Sequence, residues 1–256
     1  MTDAGEAMSA EFDTVAEWTA EVARDLGPDF YIPAGCRGSG NPAALDWMLH
    51  ELDLQAGETL LDCGAGVGGP AAYAARARDV LPVLAEPELG ACRAARSLFG
   101  RPVVSASAAQ LPFADESFDT AWCLGVLCTM PDQRELLTEL RRVVRPPGRI
   151  GMLVFIADPT LSPDEQPDGN HFPTEESLGR LLDQAGLRID DRLCTADLPA
   201  IPDAWENAVN TVEDALRERH GHERAWQLSE EQSGQMGRLL GDGPVTGHVL
   251  SLRRSG

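Results

Sequence analysis

The sequence predicts an open α/β sheet, mostly parallel and covered by helices on both faces. Three observations carry this. At 256 residues, with 43% apolar and 24% charged side chains, the chain is long enough to bury one large core, or a core with a modest cap. From residue 59 onward, short apolar runs of strand length alternate with helical stretches, the pattern of β-α-β units. A glycine-rich turn joins the first of these strands to the helix that follows it.

Residues 1 to 58 read as a helical prelude. Phe12, Val15, Trp18, Val22 and Leu26 recur at spacings of three and four, which places them on one helical face, and Gly27-Pro28 ends the run. A loop from Tyr31 to Gly40 follows. Asn41-Pro42 then reads as an N-cap with proline at the first helical position, opening a helix through Ala44, Leu45, Met48, Leu49 and Leu52.

Strands are expected over Thr59–Cys63, Val80–Glu86, Pro102–Ser105, Thr120–Leu124 and Arg149–Ala157, with helices over Pro70–Arg78, Leu89–Phe99, Asp132–Arg145 and Thr174–Ala185. In the third helix Leu136, Leu137, Leu140, Val143 and Val144 form the apolar stripe, and Arg141, Arg142 and Arg145 load the end where the helix dipole favours cations. Leu187–Cys194 reads as a sixth strand and Val245–Leu252 as a closing one. Between them, residues 203 to 220 and 222 to 240 read as two polar-faced helices, placed to roof a pocket at the carboxyl edge of the sheet. The division expected is a helical lid over 1–58 and an α/β domain over 59–256, with a helical cap insert at about 199–243.

Charge narrows the partners. The formal net charge is −20 and every one of the 21 basic residues is arginine. A field of that sign repels nucleic acid and anionic membranes, so the expected partner is a small molecule. The lack of lysine removes Walker-type phosphate binding and Schiff-base chemistry. The six cysteines show no C-x-x-C and no companion histidines, so buried reduced thiols are expected in place of disulfides or a metal site. No apolar run approaches the roughly 20 residues of a membrane span, and the first six residues lack the order of a signal peptide, which predicts a soluble cytoplasmic protein.

The informative stretch is Leu60-Leu61-Asp62-Cys63-Gly64-Ala65-Gly66-Val67-Gly68-Gly69-Pro70. Glycines there let a ligand lie against the backbone. The next strand ends in Ala85-Glu86, where a carboxylate can accept hydrogen bonds from both hydroxyls of a ribose. A nucleoside-containing cofactor is therefore expected. Gly64, Gly66 and Gly69 also satisfy G-x-G-x-x-G, which keeps a nicotinamide-dependent oxidoreductase as an alternative. Against it stand the acidic Asp62 two places before the first glycine, the helices preceding the motif and the lack of an obvious second nucleotide half. A carboxylate at that position suits a cofactor with a cationic amino acid portion better than a pyrophosphate.

From Gly35 to about Ala185 the sequence resembles the class I S-adenosylmethionine-dependent methyltransferases, above all the branch with quinone-biosynthesis and small-metabolite enzymes. The resemblance implies a Rossmann-like, doubly wound sheet of seven strands whose last strand is antiparallel. It also implies S-adenosylmethionine as cofactor, S-adenosylhomocysteine as product, and no metal. By this likeness Asp62, Gly64, Ala65, Gly66 and Gly68 line the methionine portion, Glu86 with Pro87 holds the ribose, and Leu124, in Cys123-Leu124-Gly125-Val126-Leu127, flanks the cofactor. Ala106 to Asp119 resembles the segment before the fourth strand, with Ser107 where relatives usually carry an aspartate for the adenine and Ala108 beside it. Arg37 or Ser39 stands where amino-terminal loops of relatives cover the methionine carboxylate, and Cys128 where many have histidine. Leu140 to Ile150 resembles the helix and turn before the fifth strand, an architectural segment.

His171, after the fifth strand, borders the region where the family's acceptor pocket lies and is a candidate general base or hydrogen-bonding group. Phe12, Trp18, Phe30, Tyr31, Trp205 and Trp226 either bury their helices or form, in part, an aromatic box for a flat acceptor, with Tyr31 the second candidate catalytic residue. His248 is expected to be structural, and His220 and His222 solvated. The function expected is methyl transfer to a small aromatic or heterocyclic metabolite, with a lean to carbon as the target atom. A cofactor-binding homologue without catalysis is the third reading. The prelude and insert could form homodimer contacts as readily as a lid.

Overall fold

A computed structural model describes residues 10–241 and 243–255. Helix α1 (Ala16–Leu26) continues from a π-helical turn over Ala10–Val15 and stops at Gly27, whose φ of 113° no other residue adopts readily. Val15 and Val22 of the predicted stripe are buried, while Trp18 and Leu26 are half-buried at its margin. The short α2 (Tyr31–Gly35) leads into α3 (Pro42–Glu51), and the Asn41 side chain accepts from the Ala44 amide at 3.0 Å. A cap of this kind stabilises a helix by about 1 kcal/mol.

The sheet has seven strands in the order β3-β2-β1-β4-β5-β7-β6. They are β1 (Thr59–Cys63), β2 (Leu81–Glu86), β3 (Val103–Ser105), β4 (Thr120–Leu124), β5 (Ile150–Ala157), β6 (Leu187–Cys194) and β7 (Val245–Arg254). β7 runs antiparallel to β5 and β6 and the remaining pairs are parallel, the predicted doubly wound, Rossmann-like pattern. The intervening helices are α4 (Gly69–Arg78), α5 (Leu89–Phe99), α6 (Gln133–Val143), α7 (Glu175–Ala185), α8 (Asp203–His220) and α9 (Arg224–Leu240). The order reverses between β1 and β4, and a crevice at the carboxyl ends of those two strands follows from the topology.

Leu136, Leu137 and Leu140 of α6 join Leu178 and Leu182 of α7 against Leu61, Cys123 and Met152 on one face of the sheet. On the other, Leu45 and Met48 of α3 cover Leu60, Trp122 and Leu153. α6 ends at Val143, two residues short of the expected Arg145, because Val144 is extended and bridges Phe118, whose amide donates to the Val143 carbonyl while the Arg145 amide donates to the Phe118 carbonyl. Within the helix, Arg142 bonds Glu139, Asp115 and the carbonyls of Leu111 and Phe113, pinning the loop before β4. Thr174 caps α7 through the Ser177 amide at 3.2 Å. The cap helices α8 and α9 share one buried cluster with the prelude: Val212, Leu216 and Trp226 pack with Val15, Ala34 and Val67 of the glycine bend. All six cysteines are free thiols, five of them buried. Among the described residues no helix is long and apolar enough to cross a membrane, and no group of His, Cys, Asp and Glu could hold a metal ion.

Candidate functional site

The bend after β1 is tied to the end of β2 by its backbone: the Gly64 and Ala65 amides donate to the Ala85 carbonyl at 2.8 and 3.2 Å. Gly66 has a φ of 51°, and a Cβ built on it would meet nothing within 4 Å, so the space above it is open. Its amide donates to Glu86 Oε2 at 2.8 Å, while the Glu88 amide donates to Oε1 at 3.0 Å. Two carboxylate oxygens offer about four lone-pair positions, so acceptor capacity remains on Glu86 for a diol. Glu86 is only 5% exposed, and burial raises its pKa against the pull of those two amides.

Asp62 stands on β1 beside Trp122 of β4, their register fixed by strand pairing. It is buried, and Oδ2 has no hydrogen-bond partner. Burial carries its pKa up to about 7, the Trp122 indole and Ala71 amide pull it down, and the Glu86 charge adds to the rise. Trp122 Nε1 also closes no hydrogen bond, so the indole acts on Asp62 as a nearby dipole. An orphaned buried carboxylate oxygen beside a second buried acid is costly unless a cation or donor meets it.

The segment after α2 closes over this bend. A Cβ on Gly69 would lie 2.2 Å from the Gly35 carbonyl carbon, and one on Gly125, after β4, 2.9 Å from the Gly38 carbonyl oxygen. Burial and the Asp62 charge both raise the thiol pKa of Cys36 in this segment. Beyond the segment lies a cavity of about 490 Å³, bounded by Cys36, Gly38 and Gly40 on one side and by Trp205, Glu206 and Asn210 of α8 on the other.

The structure gathers Asp62, Gly64, Ala65, Gly66, Gly68 and Glu86 at one sheet edge. Pro87 is exposed beside them, its carbonyl accepting from Ser105 Oγ at 3.4 Å. Ser107 is exposed and accepts from the Ala109 amide at 3.3 Å, and Ala108 is buried next to it. Leu124 is buried among Cys36, Leu45, Met48 and Leu153, so its side chain belongs to the core under α3. Ser39 is half-buried, its amide donating to Cys36 O at 2.9 Å.

Four expectations need correction. Arg37 is committed to the cap: Nε bonds Glu213 Oε1 at 2.9 Å, an Nη donates to the buried Ser229 hydroxyl at 2.8 Å, and the guanidinium lies 5.9 Å from the Trp226 ring. Glu213 therefore answers the charge proposed for a ligand carboxylate. Tyr31 and Trp205 do not share a box. Tyr31 packs edge-on to Phe99 beside a separate groove, and Trp205 edge-on to Tyr73. His171 is exposed, and its described bonds are made by its backbone, to Cys128 O and from Gln133 Nε2. His220 stacks on Trp18 with ring centroids 4.0 Å apart instead of standing in solvent, whereas His222 is exposed. His248 bonds Arg192 and Thr246, a structural position as expected. Sequence reading missed Glu213 as the partner of Arg37, its only signal being a place on the polar-faced insert helix. Glu206 and Asn210, which line the cavity, are exposed as that polar face predicts.

Comparison with known proteins bears on the whole arrangement. Residues 61–152 match the model of a methyltransferase domain. The chain is 37% identical over 122 residues to 27-O-demethylrifamycin SV methyltransferase of Amycolatopsis mediterranei, covering 45% of each protein. It is 33% identical over 121 residues to methyltransferase GfsG of Streptomyces halstedii, covering 44% of each. The chain thus spans less than half the length of these curated relatives in the match. Among solved structures, the [4+2]-cyclase SpnF superposes with a TM-score of 0.64 at 21% identity, covering 82% of this chain and 79% of that one. At such identity the likeness shows the fold.

Proposed function

We propose that this chain, a class I S-adenosylmethionine-dependent methyltransferase by fold and domain match, transfers the sulfonium methyl of S-adenosylmethionine to a small apolar acceptor. The observation that carries the reading is the pair of buried acids, Asp62 and Glu86, flanking a bend whose Gly66 faces open space. A pyrophosphate on the bend would face the Asp62 carboxylate, whereas Glu86 suits the ribose of either cofactor. A cofactor with an ammonium group and a ribose diol offers a cation to the orphaned oxygen of Asp62 and further donors to the acceptor capacity left on Glu86. Asp62 and the glycine bend would hold the amino acid portion, Glu86 the ribose, and the Ala106–Ala108 backbone the base.

The bound cofactor supplies a methyl group on a good leaving group, so the protein's part is alignment and exclusion of water. The segment over Gly69 and Gly125, and the cap clasped to it by Arg37, supply that enclosure. Oxygen is supported as target atom by the likeness to 27-O-demethylrifamycin SV methyltransferase, and carbon by the likeness to 24-methylenesterol C-methyltransferase 2 of Arabidopsis thaliana, at 30% identity. That the SpnF fold neighbour is named a cyclase keeps chemistry other than methyl transfer on the same scaffold in view.

Calorimetric titration with S-adenosylhomocysteine and with NAD tests the reading. Saturable binding of the first and none of the second is expected, and Glu86→Gln should weaken it at least about tenfold. NAD binding with no response to S-adenosylhomocysteine would overturn it. Methyl transfer to an extract fraction from labelled cofactor separates an enzyme from a binding homologue.

A further inference from the structure

The cavity between the Cys36–Gly40 segment and the first turns of α8 has a charge and a shape that define what fits it. Its body is apolar, with Trp205, Val209, Ile201 and Pro33 in its wall. Three polar side chains line it: Arg37, Glu206 and Asn210. The Arg37 charge is answered by Glu213 at 2.9 Å, both side chains being mostly buried. Glu206 and Asn210 lie one helical turn apart on α8, and neither side chain has a hydrogen bond or ion pair among the described residues. Both are exposed at the mouth of the cavity, and Glu206 is the charged side chain of its lining that has no protein partner among the described residues. The cavity adjoins the site of methyl transfer, since Gly38 in its wall touches Gly125 at the end of β4.

We infer that this cavity takes an acceptor with an apolar body that presents a hydroxyl or an ammonium group to Glu206, with Asn210 as a second partner, and that it turns away carboxylates. The inference rests on the methyltransferase reading for the word acceptor, while the selectivity itself stands on the cavity alone. A hydroxyl accepted by Glu206 is a group held and oriented by the enzyme, which makes Glu206 a specificity-determining residue. An anionic compound of the same size would place two negative charges together at a rim where the described cation, Arg37, is already paired with Glu213.

Three probes of one shape test this: naphthol, naphthylmethylammonium and naphthoate, titrated by fluorescence or calorimetry with and without S-adenosylhomocysteine. Naphthylmethylammonium and naphthol should bind the wild type, with naphthoate weaker than the ammonium probe. In Glu206→Gln that discrimination should fall by about fivefold, the effect of one partly screened charge. The net charge of −20 acts on both proteins almost equally, so the difference between them isolates the rim carboxylate. Trp205→Ala should weaken all three probes, and circular dichroism shows that each variant is folded. Equal ranking of the probes in wild type and Glu206→Gln overturns the inference, as does binding unaffected by Trp205→Ala. Failure to bind S-adenosylhomocysteine would instead remove the function proposed above and leave the probe ranking as an independent result.

Discussion

Replacing Asp62 by Asn should make the ligand-free protein more stable and at the same time useless for the cofactor. The carboxyl is buried and titrates near 7 in the folded chain against an ordinary 3.8. Because the folded pKa is the higher one, the native state holds this proton more tightly. Stability from the group is full below the unfolded value and is lost as pH rises through the folded value. About three units at ~1.4 kcal/mol each give a cost near 4 kcal/mol at about pH 8, falling to about 2 kcal/mol at about pH 5. Asn keeps the shape without the charge. Urea unfolding followed by tryptophan fluorescence should therefore show the variant ahead of wild type at about pH 8, with the gap narrowing by roughly half at about pH 5. Subtracting the two curves cancels most of the slope from Glu86 and every other shared acid. A variant no more stable than wild type at the higher pH, or a gap independent of pH, would refute the account of Asp62 as an unanswered buried charge.

Binding a cationic amine against Asp62 near its pKa should expel a proton, so calorimetry with S-adenosylhomocysteine at about pH 7 should give apparent enthalpies that differ between buffers of different ionisation enthalpy. Equal enthalpies in all buffers count against the contact. Gly66→Ala places a side chain in the open space above the bend at a φ of 51°; we expect a cost of about 1 kcal/mol in unfolding and at least a tenfold loss of S-adenosylhomocysteine affinity. Affinity unchanged in a folded variant would place the ligand elsewhere. Arg37→Met leaves Glu213 and the buried Ser229 hydroxyl without this partner and should destabilise by about 2 to 3 kcal/mol, while Arg37→Met with Glu213→Gln should recover part of that loss. Additive losses in the double variant would mean that the pair is not coupled.

Much of the scaffold was legible because local signals and tertiary packing agree in it. The continuous apolar runs at Leu60–Cys63 and Ile150–Ala157 are strands buried on both faces, and no competing period crosses them. The cofactor side was legible for a similar reason: the acid, the glycines and Glu86 are held together by strand pairing and backbone bonds whose spacing is fixed in sequence. The acceptor side was not. Tyr31, Trp205 and Arg37 come from segments whose relative placement is set by tertiary contacts, among them the shared cluster of Val15, Ala34, Val212 and Trp226 and the bonds of Arg37 to Glu213 and Ser229. No periodicity in one segment tells which side chain of another it will meet. Position alone places Arg37 against a ligand carboxylate, and Glu213, 176 residues away, is what answers it.

That placement of Arg37 ties the two halves of the site together. The segment from Gly35 to Gly40 touches the glycine bend at Gly69 and the end of β4 at Gly125, and it also forms a wall of the cavity under α8. Val67, within the bend, packs in the same cluster as Trp226 of the cap. A ligand that moves the bend must therefore strain or relieve the packing that holds the cap, and a cap displaced by an acceptor must pull on Arg37. The coupling runs through a part-buried ion pair and an apolar cluster, both of which respond to small displacements. Binding in the two halves should accordingly be interdependent: S-adenosylhomocysteine should tighten or loosen the naphthol probe in the wild type, and Arg37→Met should reduce that linkage by more than it changes either affinity alone. Equal linkage in both proteins would mean that the halves act independently and that the clasp only holds the fold together.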